Sequence, residues 1–201
     1  MKKVKKSRCH CTQSVKDVEH EAMNALIAVI DAMDPETRRH SCHVAEYALL
    51  LAQELKLPFK EIETIYYGAL LHDIGKIGIS PDILKKRTRL TVKEFALIMQ
   101  HPTKGANIVS QITDFKPFVH IVLYHHERFD GSGYPEGLKG KKIPFNARLV
   151  ALVDAYDAMT SKRSYRQAKG REKALDEIIK STPSQFDPEL VKAFVRVVKN
   201  F

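Results

Sequence analysis

Apolar residues recur at the three-and-four spacing of amphipathic helices along nearly the whole chain. No stretch alternates with period two for long enough to make a strand. The spacing predicts a helix over 16–33, interrupted at Asp34-Pro35, and a second from Glu36 to Leu55, ending before Leu57-Pro58. A third, from Phe59 to His72, is apolar on most of its surface (IYYGALLH), which places it in the middle of the core. Ser80-Pro81 reads as a cap followed by a first-turn proline and opens a short turn of helix. Thr91 to Glu94 spell a capping box, and the helix it starts breaks near His101-Pro102. Further helices are expected at 116–127, 145–160, 171–181 and 188–199, the last behind Asp187-Pro188. The expected fold class is all-α, a single helical bundle.

Between Arg128 and Pro144 the periodicity stops. FDGSGYPEGLKGKKIP carries four glycines and two prolines, a long loop for a compact domain and for that reason a functional candidate. A length of 201 residues suits one domain, expected over 16–201 behind a basic, disordered tail at 1–15. With 44% hydrophobic residues the chain can bury a core without disulfides. No run approaches the roughly 20 apolar residues that span a bilayer, and MKKVKKSRCHC has no apolar region after its basic start, so it is no secretory signal. Cys9, Cys11 and Cys42 make an odd count, which points to a reducing cytoplasm rather than a disulfide framework. Cys9-His10-Cys11 on its own is a weak metal motif.

The net charge of +9 favours an anionic partner, although Lys2, Lys3, Lys5 and Lys6 supply part of it from the tail. A nucleic-acid binder ranks last, because no reading motif or aromatic-interleaved basic stretch is present.

Nine histidines are present, and their company is informative. Glu36 and His40 share a helix face; His72 and Asp73 end the most apolar helix; His125 and His126 are adjacent in a helix; Asp154 interrupts the apolar run Leu149–Val153. Buried ionisable groups need partners, and a divalent metal satisfies several at once. More than four candidate ligands suggest two ions, and mixed imidazole and carboxylate donors suit Fe, Mn, Zn or Ni better than Ca or Mg. Each residue also has an ordinary reading. His10, His20, His43 and His120 are read as surface or satisfied core histidines, and so is His101 taken alone; Asp154 could pair with Arg148 or Arg163. All the ordinary readings together need independent coincidences, so the metal reading is preferred.

HDIGKIGISPDIL at 72–84, HP at 101–102, HHERFDGSGYPEGLKGKKIP at 125–144 and DAYDAMTSKRSYR at 154–166 resemble the HD-GYP family, phosphohydrolases of the HD superfamily that degrade cyclic di-GMP. The likeness runs in order from about Glu36 to Asp187. It implies metal ligands at His40, His72, Asp73, His101, His125, His126 and Asp154, with Asp73 bridging two divalent ions, iron or manganese first. Some members hold a third ion, for which Glu36 is in position. Lys76 would face the scissile phosphate, and Arg163 and Arg166 would contact substrate phosphates. Asp157, one turn after Asp154, is a candidate partner behind the ligands, with a surface ion pair as its ordinary reading. Gly131, Gly133, Tyr134 and Pro135 are expected mainly to hold the loop's shape, with a border on the guanine pocket or a partner surface as the functional alternative.

The implied reaction is attack of a metal-bridging hydroxide on phosphorus, giving linear pGpG and then GMP. Two alternatives stay open: a catalytically silent cyclic-dinucleotide receptor, and an HD phosphohydrolase acting on another cyclic dinucleotide or nucleotide. The family commonly carries sensory domains upstream and none is found here, so a sensory or GGDEF-type protein is the expected partner. Positions 85–91 lack the family's frequent glycine, and Pro183 stands where a Gly-Thr approach to Phe186-Asp187-Pro188 is frequent.

Overall fold

The computed structural model describes residues 10–86, 88–161 and 168–200. Among them there are ten α-helices, three short 3-10 segments that serve as connecting turns, and no strand. That is the all-α architecture expected. The helices are α1 (His10–Met33), α2 (Pro35–Glu54), α3 (Phe59–Leu71), α4 (Pro81–Leu84), α5 (Val92–Ile98), α6 (His101–Ser110), α7 (Val119–Tyr124), α8 (Phe145–Thr160), α9 (Arg171–Lys180) and α10 (Pro188–Lys199).

Local chemistry sets most of the boundaries. Asp34 caps α2 by accepting from the Glu36 and Thr37 amides, with Pro35 in the first turn. Thr91 and Glu94 form the reciprocal capping box that opens α5. Asp187 caps α10 and also pairs with Arg148 of α8, so the helix start is tied to the core. No helix among the described residues is long and apolar enough to cross a membrane.

Three boundaries differ from expectation. The first helix begins at His10, six residues before the expected start, because nothing between His10 and Asp34 is a glycine or proline. His101-Pro102 does more than end a helix: Pro102 lies in the first turn of α6, where its missing N–H costs nothing. The helix expected at 116–127 is instead a 3-10 segment over Thr113–Phe118 followed by α7, with Pro117 inside the tighter turn. His125 therefore caps the end of α7, and His126 lies beyond it rather than in a helix.

Two hydrophobic clusters meet at the site. The larger joins α2, α3, α8, α9 and α10 through Leu51, Ile65, Leu152, Tyr156, Ile178 and Phe194. The smaller joins α1 to the ends of α3, α6 and α7 through Met23, Ile30, Val109 and Val122. Leu70 belongs to the first cluster and Leu71 and Ile74 to the second, so His72 and Asp73 sit on the seam between them. The seam is closed by a glycine contact. A Cβ on Gly75 would lie 1.9 Å from the His101 carbonyl oxygen and 2.5 Å from the Gly105 amide nitrogen. Only a residue without a side chain lets the Ile74–Gly78 turn press on the start of α6, which brings Asp73 to His101.

Candidate metal centre

Four parts of the chain deliver the ionisable groups. His40 comes from the second turn of α2, His72 and Asp73 from the end of α3, His101 from the first residue of α6, and His125 and His126 from the end of α7. Asp154 and Asp157 face them from α8. His40, His72, Asp73, His101, His125 and Asp157 are all buried. Their donor atoms fall into two groups, His40, His72 and Asp73 in one and His101, His125 and His126 in the other, each within 4.8 Å. Asp73 reaches into both: Oδ2 lies 3.4 Å from His72 Nε2 and Oδ1 lies 3.3 Å from His101 Nε2.

The ring orientations decide what this cluster can hold. His72 Nδ1 lies 2.6 Å from the Ala69 carbonyl, His101 Nδ1 2.7 Å from that of Ile98, and His125 Nδ1 2.8 Å from that of Val122. A carbonyl only accepts, so each Nδ1 carries a proton and donates it, which leaves each Nε2 facing inward. His101 Nε2 and His125 Nε2 then face each other at 3.2 Å. Two lone pairs at hydrogen-bond distance repel, and a shared cation turns that repulsion into coordination. The nitrogen and carboxylate donor set fits a divalent transition metal.

Electrostatics run the same way. Burial pushes the His125 pKa well below its usual value, helped by the neighbouring His126, and it lowers that of His101. Burial also brings His126 down to about 4. These rings are neutral at pH 7 and ready to bind metal. Burial works to raise the Asp73 pKa, but the Lys76 ammonium and His72 outweigh it and hold the carboxyl well below its usual range. Lys76 Nζ donates to Asp73 Oδ2 at 2.5 Å.

His40 differs from the others because both its nitrogens face carboxylates. Nδ1 lies 2.6 Å from Asp157 Oδ2 and Nε2 lies 2.9 Å from Asp154 Oδ1. Burial opposes a charge there, yet the hydrogen bonds to Asp154 and Asp157 prevail and raise the His40 pKa to about 9. Asp154 makes no ion pair with Arg148, whose guanidinium goes to Asp187. Asp157 is 1% exposed and makes no surface ion pair. It also lies 3.2 Å from His43 Nδ1 and accepts from Ser161 Oγ at 2.7 Å. The His43 contact is invisible in the sequence, where His43 reads as an ordinary surface histidine.

The loop after His126 folds back on the centre. Gly133 packs where a Cβ would lie 2.3 Å from the Arg128 amide nitrogen and 2.6 Å from the His126 oxygen. The Tyr134 ring stacks on His126 with centroids 4.9 Å apart, and Gly131 has a φ of +88°. Pro135 follows a cis peptide bond. Glu127 is a functional residue that sequence reasoning passed over. Its buried carboxylate accepts from the Glu136 amide at 2.8 Å and the Leu138 amide at 3.1 Å, clamping the loop. The available signal was an acidic residue directly after two buried histidines. Glu127→Gln replaces one acceptor by an NH2 facing a main-chain N–H. It is expected to cost about 2 kcal/mol, read as a lower urea midpoint, and to speed proteolysis between Gly131 and Gly140.

Glu36 lies in the first turn of α2, partly exposed, outside both donor groups. Arg163 and Arg166, expected to contact phosphate, lie outside the described residues, as does Cys9.

A family model described as an HD domain matches residues 24–190. The chain belongs to the HD domain family. This HD domain is 39% identical over 185 residues to a Thermotoga maritima protein named cyclic di-GMP phosphodiesterase, covering 91% of the chain and 50% of that relative. Among solved structures, it resembles an HDG"Y"P protein from Bdellovibrio bacteriovorus with a TM-score of 0.68 at 22% identity, over 93% of the chain and 63% of the other. It also resembles a cyclic GMP-AMP specific phosphodiesterase of Vibrio cholerae with a TM-score of 0.66 at 23% identity, over 90% and 48%. These likenesses carry the fold. The HD domain spans half or less of the length of the first curated relatives it matches.

Proposed function

We propose that this HD domain hydrolyses a cyclic dinucleotide, cyclic di-GMP first, in a metal-dependent phosphodiesterase reaction that gives pGpG and then GMP. The observation that carries the reading is the 3.2 Å approach of two inward-facing imidazole nitrogens beside Asp73, a geometry that calls for a cation. The names of relatives at 36–39% identity point to the same substrate class.

His40, His72, His101, His125, His126, Asp73 and Asp154 would hold two divalent ions, with iron or manganese favoured by the donor set. Asp73, whose two oxygens lie near one histidine of each group, is the residue proposed to serve both. Glu36, one turn before His40, is the candidate for a third ion. Bound ions would supply Lewis acidity and lower the pKa of water toward neutrality. The chain's own residues do the rest. Lys76 sets a fixed positive charge beside Asp73, where the phosphate gains negative charge in the transition state. Arg163 and Arg166 would clamp the non-bridging oxygens. Asp157 fixes the His40 ring from behind, so its Nε2 points inward.

The odd cysteine count fits a cytoplasmic setting, and a sensory or GGDEF-type protein is the partner class proposed for control. A Vibrio cholerae relative at 34% identity is named a 3'3'-cGAMP-specific phosphodiesterase, which makes cGAMP the second substrate to try.

Protein loaded anaerobically with Fe(II) or with Mn(II) is expected to convert cyclic di-GMP to pGpG, followed by chromatography. Intact cyclic dinucleotide with both metals would remove the assignment.

A further inference from the structure

A cavity of about 310 Å3 opens beside His126 and Asp154, large enough for a small planar ligand group. Its lining includes Phe95, Met99, Tyr134 and Phe186, together with the polar Arg128 and Gln185. Flat aromatic and thioether walls next to a phosphodiester centre suit a nucleobase, which stacks on such surfaces whatever its sequence context. Phe95 is half exposed in α5, and this is explained if a base covers it.

The polar groups bear on which base. Arg128 Nε donates to Ser132 Oγ at 2.9 Å, and Ser132 Oγ in turn donates to Asp130 Oδ1 at 2.6 Å. The Ser132 amide also donates to Asp130 Oδ1, at 2.9 Å, so the Asp130-Gly131-Ser132 turn is a rigid brace. The guanidinium is held from one edge, and its terminal nitrogens make no hydrogen bond to another described residue. A braced fork of this kind matches the paired O6 and N7 acceptors of guanine, whereas adenine offers a donor at the position of O6. The Gln185 side-chain amide likewise makes no hydrogen bond to another described residue. Its main chain is fixed to the loop by the Phe129 amide at 3.0 Å.

We infer that this cavity is the base subsite of the substrate and that Arg128, braced by Ser132, is the residue that selects guanine over adenine. The inference rests on the cyclic-dinucleotide reading and adds the base to it. It also gives the DGS turn a role beyond loop shape.

The test separates the two claims by using mononucleotides for the subsite and cyclic dinucleotides for the reaction. Calorimetry on metal-loaded protein is expected to find GMP bound about tenfold more tightly than AMP, with the preference lost in Arg128→Gln. Arg128→Lys keeps the charge without the fork and is expected to lose the preference as well; Ser132→Ala, which frees the brace, is expected to weaken it in part. In turnover, Arg128→Gln is expected to raise KM for cyclic di-GMP about tenfold and KM for cyclic di-AMP by less than twofold. Equal affinity of the wild type for GMP and AMP, or an unchanged preference in Arg128→Gln, overturns the subsite. GMP preference without turnover of any cyclic dinucleotide overturns the reaction and leaves the subsite standing.

Discussion

Asp73→Asn is expected to lower cyclic di-GMP turnover by about three orders of magnitude, equivalent to about 4 kcal/mol of transition-state stabilisation. The substitution keeps volume and removes one charge at a carboxylate that reaches both donor groups. A carboxylate can offer an oxygen to each of two cations; an amide offers one oxygen and turns an NH2 toward the other. That NH2 also faces the Lys76 ammonium, now 2.5 Å from Oδ2. Lys76 is 23% exposed and can swing to water, so the helical fold is expected to survive. Circular dichroism checks the fold, and mass spectrometry of the metal is expected to show less than half the wild-type content. A variant that keeps its metal and its turnover would move the bridging role elsewhere.

The sequence makes the helices legible wherever capping and periodicity agree. The spans of α8 and α10 fall on the expected residues, and the Thr91–Glu94 box opens α5 as written. Prolines were the ambiguous signals. Pro102 starts a helix as readily as it ends one, and Pro117 tightens a turn without ending the run. Most of the clustered groups were legible because ionisable residues in apolar helices conflict with burial, so His40, His72, Asp73, His125, His126 and Asp154 stood out by type, while His101 entered only through the family resemblance. Their orientation was not legible. That Nδ1 of three rings donates to the carbonyl three residues back is a product of backbone geometry. The Glu127 clamp, the His43–Asp157 contact and the bonds from Phe129 and Asp130 to Gln185 and Ser184 are tertiary, with no local pattern to announce them.

Metal affinity is expected to rise about tenfold from pH 7 to pH 8 and about fivefold from pH 8 to pH 9, about fiftyfold in all. The reason lies with one histidine. In the metal-free protein burial resists a charge on His40, but Asp154 and Asp157 hold its pKa up to about 9. Below that pH the ring carries a proton on the nitrogen a metal would need, so binding expels one proton. Burial keeps His101, His125 and His126 neutral over the same range, His126 down to about 4, so they add none. The slope is therefore one proton rather than four. Stability moves in opposite directions with and without metal. The folded pKa of His40 lies above its ordinary 6.5, so its contribution to the metal-free protein is complete below about pH 6.5 and is lost as pH rises through 9. The metal-loaded protein gains over that window, so the difference in Tm between the two forms widens with pH. Calorimetry in buffers of different ionisation enthalpy counts the protons, and His40→Gln is expected to flatten the dependence. A wild-type affinity that is level with pH, or a release of three or four protons, would mean that His40 does not hold the proton the metal displaces.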